Sequence, residues 1–266
     1  SLGLLAREGP SFSSIAGSQL LFGIGGGLAA LFLTSQIYYR FWRRYAFYIF
    51  LFTLGLTALV FVPGLGLQHA GAVRWIDLGF FTLQPSELLK IGFVIYVATW
   101  LSGMWKHTSS FLRGTLPFLG FVGVVGALLL LQPDTDTFLI IAAAGAAMFF
   151  VSGSRWRDIG LMALLGVILL VVLAVVRPYV MDRLLVLFNP TVDPQGSSYQ
   201  IQQSLIAIGS GGMFGRGYGQ SIQKFEYLPE PIGDSIFAVY AEEFGFLGTS
   251  ILVILFTTFA FRGYRI

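Results

Sequence analysis

Long apolar runs constrain this chain more than any other feature of its sequence. Residues 158–176 read DIGLMALLGVILLVVLAVV, with a single charged residue at the first position. A helix needs about 20 predominantly apolar residues to cross the hydrocarbon core of a bilayer. Stretches of roughly this kind occur at 16–37, 45–62, 85–103, 115–131, 136–152, 158–176 and 234–261. The last contains Gly245 and Gly248, and we expect it to break there into a short helix followed by the true span.

The composition also indicates a membrane protein. Of the 266 residues, 56% are hydrophobic and only 11% are charged, whereas about 25% of the residues of a soluble domain are charged. We expect an all-α fold, a polytopic transmembrane helix bundle with about seven spans. Residues 1–266 would form one integral membrane domain, and residues 177–233 an extracytoplasmic loop within it. The segments RPYVMDRLLVLFNP and SYQIQQSLIAIGS of that loop have apolar residues at helical spacing.

The small number of polar features excludes several classes of function. The chain has no cysteine and two histidines. It therefore offers no residue for a disulfide or a thiolate metal site, and few residues for histidine-based catalysis. The net charge is +3, and no basic run is typical of a nucleic-acid-binding tract. We therefore expect no nucleic-acid partner. No signal peptide is visible, and we interpret the sequence as part of a longer one.

The distribution of charge predicts an orientation. Lys and Arg residues concentrate in loops 38–44, 104–114 and 153–157 and at the C-terminal end. These segments alternate with loops that carry few of them, and basic loops remain in the cytoplasm. All acidic residues except Asp158 then lie in outer loops or outer helix ends. A charge at membrane depth costs a few kcal/mol, so we expect the polar chemistry to face outward.

Two acidic segments begin predicted spans. In QPSELLK, residues 84–90, Glu87 and Lys90 are three positions apart and share a helix face. They form either an internal ion pair or a charged pair lining a polar cavity, with Lys90 available to an anionic ligand. In QPDTD, residues 132–136, Asp134 and Asp136 are either turn and helix-capping residues or two ligands of a divalent cation.

Two further segments lie near the last span. GSGGMFGRGYGQ, residues 209–220, is either a mobile loop or a set of backbone amides that faces a diphosphate together with Arg216, with Lys224 nearby. The stretch YLPEPIGDSIFAVYAEE, residues 227–243, carries four carboxylates. One interpretation is helix capping by Asp234 and ion pairing with Lys224 or Arg216. The other is a partly desolvated carboxylate that acts as a base towards a sugar hydroxyl.

These strings together resemble the SEDS family of cell-wall polymerases, which includes FtsW, RodA and SpoVE. The resemblance covers roughly residues 70–250 and rests on RWI, QPSELLK, QPD, the stretch from NPTVDPQGSSYQ to QKFEYLPE, and DSIFAVYAEEFGFLG, in that order. QKFEYLPE is more similar to the FtsW branch than to the RodA branch. Two dipeptides depart from the family pattern: Ile232-Gly233 stands in place of His-Thr, and Thr135-Asp136 in place of Leu-Gly. The family has ten spans, which again implies a partial sequence.

The resemblance implies a multi-pass protein of the bacterial cytoplasmic (inner) membrane whose active site faces outward. It implies a peptidoglycan glycosyltransferase that polymerises lipid II, an undecaprenyl-diphosphate-linked disaccharide peptide, for cell division or cell shape. The implied partners are a class B penicillin-binding protein, divisome or elongasome proteins and membrane lipid. The alternatives are a lipid II flippase and a non-catalytic scaffold for the penicillin-binding protein.

The resemblance implies roles for Asp234, Glu87, Lys90 and Asp134, and the charges near them in the sequence add the other candidates. Asp234 is the expected catalytic residue. The expected substrate-binding residues are Glu87, Lys90, Arg74, Arg216, Lys224 and Glu230. A divalent cation, Mg or Mn, is a possible cofactor, with Asp134 and Asp136 as candidate ligands.

Overall fold

A computed structural model describes residues 19–69, 72–77, 82–104, 108, 110–188, 198–229 and 233–265. A π-helical segment, Gln19–Gly25, precedes the first α-helix, a 3-10 turn, Leu59–Phe61, follows the second, and a π-helical turn, Phe111–Thr115, precedes the fourth. In chain order the helices are α1 (Gly26–Gln36), α2 (Tyr39–Ala58), α3 (Pro85–Met104), α4 (Leu116–Leu131), α5 (Thr135–Val151), α6 (Trp156–Val176), α7 (Pro178–Phe188), α8 (Tyr199–Ser210), α9 (Gln223–Glu226) and α10 (Ile236–Tyr264). The strands are β1 (Gly66–His69), β2 (Ala72–Asp77) and β3 (Thr82–Leu83).

The helices bear out the hydropathy of the sequence. Among the described residues, five helical stretches are long and apolar enough to cross a membrane: Tyr39–Phe61, Pro85–Met104, Phe111–Leu131, Trp156–Val176 and Ile236–Tyr264. Helix α5 is also apolar and has 17 residues. The stretch expected at 16–37 is helical where it is described, as a π-helical segment followed by α1. The prediction of a polytopic, helical, multi-pass membrane protein is confirmed.

A small antiparallel sheet, absent from the sequence prediction, follows α2. The strand order is β1-β2-β3, with Leu67 opposite Trp75 and Ile76 opposite Leu83. The strands have four, six and two residues, too short to show a clear alternation of apolar and polar positions. The sheet leads the chain from the end of α2 to the start of α3.

The chain divides into two compact units, and the first comprises residues 33–169. Helices α2 to α5 pack there around aromatic side chains. Phe93 and Phe149 are fully buried, and the rings of Phe118 and Phe149 stack with centroids 4.8 Å apart. A Cβ atom at Gly92 would collide with the side chain of Thr53. The close approach of α2 and α3 therefore depends on a small residue, as is common between membrane helices.

Two hydrogen bonds fix the ends of this helix group. Thr108 donates to the backbone oxygen of Ser152 at 3.2 Å, which places the α3–α4 and α5–α6 connections at one end. Gln132 donates to the backbone oxygen of Thr57 at 2.7 Å, which places the end of α2 and the α4–α5 turn at the other. The predicted alternation of these loops is confirmed. Which end faces the cytoplasm stays a prediction.

The second unit contains the described residues before residue 33 and after residue 169. The segments expected to be helical in loop 177–233 form α7 and α8. Helix α8 packs against the first part of α10, where Ala207, Ala238 and Val239 are buried. Helix α10 is interrupted at Gly245, which has φ of 65° and ψ of −166°. The predicted break is confirmed, whereas the assignment of the whole chain to one domain stays a prediction.

Candidate functional site

The QPSE and QPD segments lie together in the first unit, around Asp134. Arg74, on β2, donates to the backbone oxygen of Pro133, and its guanidinium lies 3.8 Å from Asp134 Oδ1. Ser86, in the first turn of α3, donates its hydroxyl to Asp134 Oδ2 at 3.1 Å. Because Gln132 also binds the end of α2 at Thr57, these contacts join four separate segments of the chain.

The carboxylate of Asp134 is buried and bonded to other protein groups, as in a carboxylate that maintains the fold. Asp134 is 2% exposed, and a buried charge is tolerated when it is paired and hydrogen-bonded. It directly precedes α5, but its side chain makes no capping hydrogen bond. The capping interpretation is therefore wrong, because the carboxylate binds Ser86 and Arg74 instead.

A cation site at Asp134 and Asp136 has no support in this geometry. Both oxygens of Asp134 already face protein groups, and Asp136 is exposed. No group of three or more His, Cys, Asp and Glu residues that could hold a metal ion occurs in the described ranges. The two aspartates do not fit a divalent cation, and the cofactor stays a prediction.

Glu87 and Lys90 form the ion pair that their spacing indicates. Lys90 Nζ lies 2.8 Å from Glu87 Oε2. The side chains are 29% and 55% exposed for Lys90 and Glu87, respectively. An ion pair at such an exposed position contributes little to stability. Both groups therefore retain access to a ligand, and their predicted role in substrate binding stays a prediction.

The glycine loop, defined here as residues 211–217, replaces the hydrogen bonds lost at the break in α10. A continuous helix would pair the backbone N–H groups of Phe246 and Leu247 with the carbonyls of Glu242 and Glu243. Instead, Phe246 and Leu247 donate to loop carbonyls at 2.8 and 3.1 Å. The carbonyls of Glu242 and Glu243 accept from loop N–H groups at 2.9 and 3.0 Å. All four backbone groups are satisfied, as groups removed from water must be.

Glycine is required where this loop meets the helix. Gly215 has φ of +80°, and a Cβ atom on it would collide with the backbone of Glu243. Gly211 similarly contacts the backbone of Ala241, and Gly245 contacts Gly215. The glycines therefore allow backbone to pack on backbone. The interpretation of 209–220 as a mobile loop is wrong for the glycine loop, because its backbone is bound to α10.

The acidic pair, defined here as Glu242 and Glu243, is buried at the same place. Glu242 is 0% exposed and accepts from the hydroxyl of Ser221 at 2.5 Å and from the backbone N–H groups of Ile222 and Gln223. The Arg216 Nε atom lies 3.5 Å from Glu242 Oε1. The carboxylate of Glu242 thus joins the glycine loop to the start of α9.

Glu243 forms an ion pair with Lys224. The Lys224 ammonium donates to Glu243 Oε1, and the side chains are 1% and 5% exposed for Lys224 and Glu243. The interpretation that carboxylates of this stretch pair with Arg216 and Lys224 is thus confirmed for the acidic pair. Arg216 keeps 38% of its side chain exposed, whereas Lys224 presents almost none of its surface.

Asp234 differs from the acidic pair in its exposure and in its hydrogen bonding. It is exposed, and the described part of the chain gives its carboxylate no hydrogen bond or ion pair. Ser235, not Asp234, is the residue before α10, and its side chain makes no capping bond. The capping interpretation of Asp234 is therefore wrong. Glu230, also predicted to bind substrate, lies outside the described residues.

Sequence reasoning missed the polar residues that support these carboxylates. Gln200, on α8, donates to the hydroxyl of Ser235 at 3.2 Å, and that hydroxyl donates to the backbone oxygen of Pro229 at 3.3 Å. Ser86 and Ser221 each donate to a buried carboxylate. Ser86 lies inside the QPSELLK motif, so its position in the sequence could have indicated a role near the other polar residues of that motif. Nothing in the sequence indicates the hydrogen-bond partners of Gln200 and Ser221.

These segments recur in known proteins. A sequence profile described as "Cell cycle protein", which covers FtsW, RodA and SpoVE, matches residues 6–266. The chain belongs to this family. It is 40% identical over 248 residues to stage V sporulation protein E of Bacillus subtilis, covering 93% of this chain and 68% of that protein. It is also 40% identical over 243 residues to the probable peptidoglycan glycosyltransferase FtsW of Aromatoleum aromaticum, covering 91% of this chain and 58% of that protein.

Solved structures of the FtsW/RodA/SpoVE family have the same fold. One, described as a peptidoglycan synthase complex that coordinates polymerization and crosslinking, matches with a TM-score of 0.71 and 27% identity over 98% of this chain and 71% of that chain. RodA of Thermus thermophilus matches with a TM-score of 0.60 and 26% identity, covering 98% of this chain and 67% of that one. This chain thus spans between 58% and 71% of the length of the relatives and neighbours named here.

Proposed function

We propose that this protein is a peptidoglycan glycosyltransferase that polymerises lipid II into glycan strands. The family membership supports the reaction class, because relatives with about 40% identity carry the name probable peptidoglycan glycosyltransferase. The observation that carries the proposal within this chain is the state of Asp234. It is exposed and without a partner among the described residues, while the acidic pair of the same stretch is buried and bonded.

The proposed step is a displacement at a sugar carbon. Asp234 removes the proton of the acceptor sugar hydroxyl, and the hydroxyl oxygen forms a bond to the anomeric carbon of the lipid-linked donor. The bond from that carbon to the diphosphate breaks, and undecaprenyl diphosphate leaves with the electron pair. A positioned base of this kind contributes about 10²- to 10⁴-fold to a rate. A carboxylate without a competing cation is available for that task.

The leaving diphosphate needs positive charge near it. In the second unit, Arg216 belongs to the glycine loop and keeps 38% of its side chain exposed. In the first unit, Lys90 and Arg74 keep 29% and 31% of their side chains exposed. We retain these three cations, with Glu87 and Glu230, as the proposed substrate-binding residues.

The proposed setting is the outer face of the bacterial cytoplasmic membrane. The basic loops of the sequence support this orientation under the positive-inside rule. A class B penicillin-binding protein is the proposed partner, supported by the similarity to a synthase complex that combines polymerization with crosslinking. Curated relatives at 40% identity carry the names stage V sporulation protein E and FtsW, which supports the FtsW side of the family.

Gel analysis of products made from purified lipid II tests the proposal. The parent protein, with its penicillin-binding partner, should make glycan strands of increasing length, and Asp234→Asn should not. Asp182→Asn is the matched control, because Asp182 is an exposed aspartate without a partner in the described ranges. Full polymerisation by a correctly inserted Asp234→Asn variant would refute the assignment. Translocation of lipid II without strand formation by the parent would identify a flippase instead.

A further inference from the structure

The break at Gly245 separates a short helix from the rest of α10. This segment, Ile236–Phe244, is called the first segment of α10 below, and Asp234 lies two residues before it. Nine helical residues span about 13 Å, at about 1.5 Å per residue. Such a short helix is rigid along its axis, so an atom at one end is positioned by whatever holds the other end.

The start of the first segment is bound to α8. Ser235, which is adjacent to Asp234, is 3% exposed. Its hydroxyl accepts from Gln200 on α8 and donates to the backbone oxygen of Pro229. These two bonds are neutral and 3.2 and 3.3 Å long, and neutral hydrogen bonds of this type contribute only modestly to stability.

The end of the first segment is bound more strongly. Glu242 accepts three hydrogen bonds from residues 221–223, and Glu243 is paired with Lys224. The backbone of both glutamates is bound by the glycine loop. Charged hydrogen bonds are roughly twice as strong as neutral ones. The acidic pair is therefore the principal attachment of the first segment.

The pair of Lys224 and Glu243 is poorly suited to binding substrate. The Lys224 side chain is 1% exposed, and its ammonium is bonded to Glu243. To contact a diphosphate, Lys224 would have to leave a buried carboxylate uncompensated, which is strongly unfavourable for comparable pairs. A buried pair is weak evidence for stability, but it specifies one geometry of the groups that it joins.

We propose that Lys224 and Glu243 are positioning residues for Asp234. Their ion pair, with the contacts of Glu242, fixes the first segment against α9 and the glycine loop and so holds Asp234 in its reactive position. This inference rests on the proposed function, since it assigns to these residues the placement of its base. Neither residue contacts substrate, and their removal acts through the position of Asp234.

A spin label beside Asp234 tests this directly. The 266 residues contain no cysteine, so within them Ile236→Cys provides a single attachment site on a residue that is 54% exposed; any cysteine elsewhere in the complete protein is first replaced by serine. The label is introduced into the complete protein, alone and together with Glu243→Gln, with the exchange pair Lys224→Glu and Glu243→Lys, or with the control Asp182→Asn. Electron paramagnetic resonance then reports the mobility of the first segment in the absence of lipid II.

The expected results separate positioning from substrate binding. Glu243→Gln should increase the mobility of the label and lower kcat about 100-fold, as misplacement by about 1 Å can do, while KM changes less than about twofold. The exchanged pair should restore low mobility and most of kcat, and Asp182→Asn should change neither. If Glu243→Gln does not fold, Glu243→Asp, which shortens the side chain by one carbon, should give the same changes at smaller size.

Two outcomes would overturn the inference. One is unchanged label mobility in Glu243→Gln and Glu243→Asp. The other is a rise in KM at constant kcat, which would return Lys224 to substrate binding, as the sequence predicted, and would add Glu243 to it. Failure of the proposed function gives a different result, because a fully active Asp234→Asn variant refutes the base assignment while the mobility measurements still stand.

Discussion

Asp134 and Glu242 lie in different units of the chain and have similar environments. Each is at most 2% exposed, accepts a hydrogen bond from a serine hydroxyl and faces an arginine. Asp234 is eight residues before Glu242, yet it is exposed and has no partner in the described part of the chain. The comparison teaches that the acidic pair of this stretch maintains the fold, and that Asp234, which is unbonded within the described residues, is the candidate for chemistry.

Substitution of the unbonded carboxylate should have the largest effect. Asp234→Asn should lower the rate of lipid II polymerisation about 10³-fold, the middle of the range for a general base. The midpoint of thermal unfolding in detergent should not change, because no bond within the described residues is lost. A large fall in the midpoint, with the rate reduced only in proportion to the unfolded fraction, would make Asp234 another structural acid.

Substitution of a bonded carboxylate should act on stability first. Glu242→Ala leaves Arg216, Ser221 and two backbone N–H groups without their acceptor. Removal of one partner of a buried charged network costs about 3–5 kcal/mol. Chemical unfolding in detergent should show a loss of at least about 3 kcal/mol, and an unchanged unfolding curve would show that Glu242 is solvated.

Gly215, in the glycine loop, and Gly219, just after it, offer a matched comparison of smaller size. Gly215 and Gly219 both have φ of +80°, but only Gly215 has no room for a Cβ atom. Gly219→Ala should therefore cost only the strain of a left-handed residue, about 1 kcal/mol. Gly215→Ala should cost at least about 1 kcal/mol more, because the backbone of Glu243 must move. Equal unfolding free energies for the two variants would contradict the packing of this loop on α10.

The smallest effect on stability is expected at the exposed pair of α3. Glu87→Gln removes an ion pair whose glutamate side chain is 55% exposed, so it should change the free energy of unfolding by less than about 1 kcal/mol. If Glu87 and Lys90 contact substrate, the same variant should raise KM for lipid II. A stability loss above about 2 kcal/mol would place this pair with the buried carboxylates instead.

The sequence was sufficient for features that depend on local composition. The apolar runs predicted the membrane helices, and Gly245 predicted the break in α10, because both signals lie within the segment concerned. The ion pairing of the carboxylates with Arg216 and Lys224 was also among the interpretations, since few cations lie near them in the chain. These features needed no knowledge of distant contacts.

Features that depend on distant partners were not predictable. Capping was wrong for Asp134 and Asp234, because the position before a helix does not reveal whether a carboxylate has a better partner elsewhere. Ser86 reaches Asp134 across 48 positions, and Ser221 reaches Glu242 across 21. The glycine loop was interpreted as mobile or phosphate-binding, since its composition does not show that a broken helix needs its backbone groups.

Carbodiimide modification compares the exposed and the buried carboxylates in one sample. The extent of modification is measured for each residue by mass spectrometry, with and without lipid II. Asp234 should be modified in the free protein and protected by lipid II, whereas Glu242 and Glu243 should remain unmodified in both conditions. Asp182 should be modified equally in both. Modification of Asp234 that lipid II does not reduce would contradict the account, because a base that takes a proton from the acceptor sugar must lie beneath it.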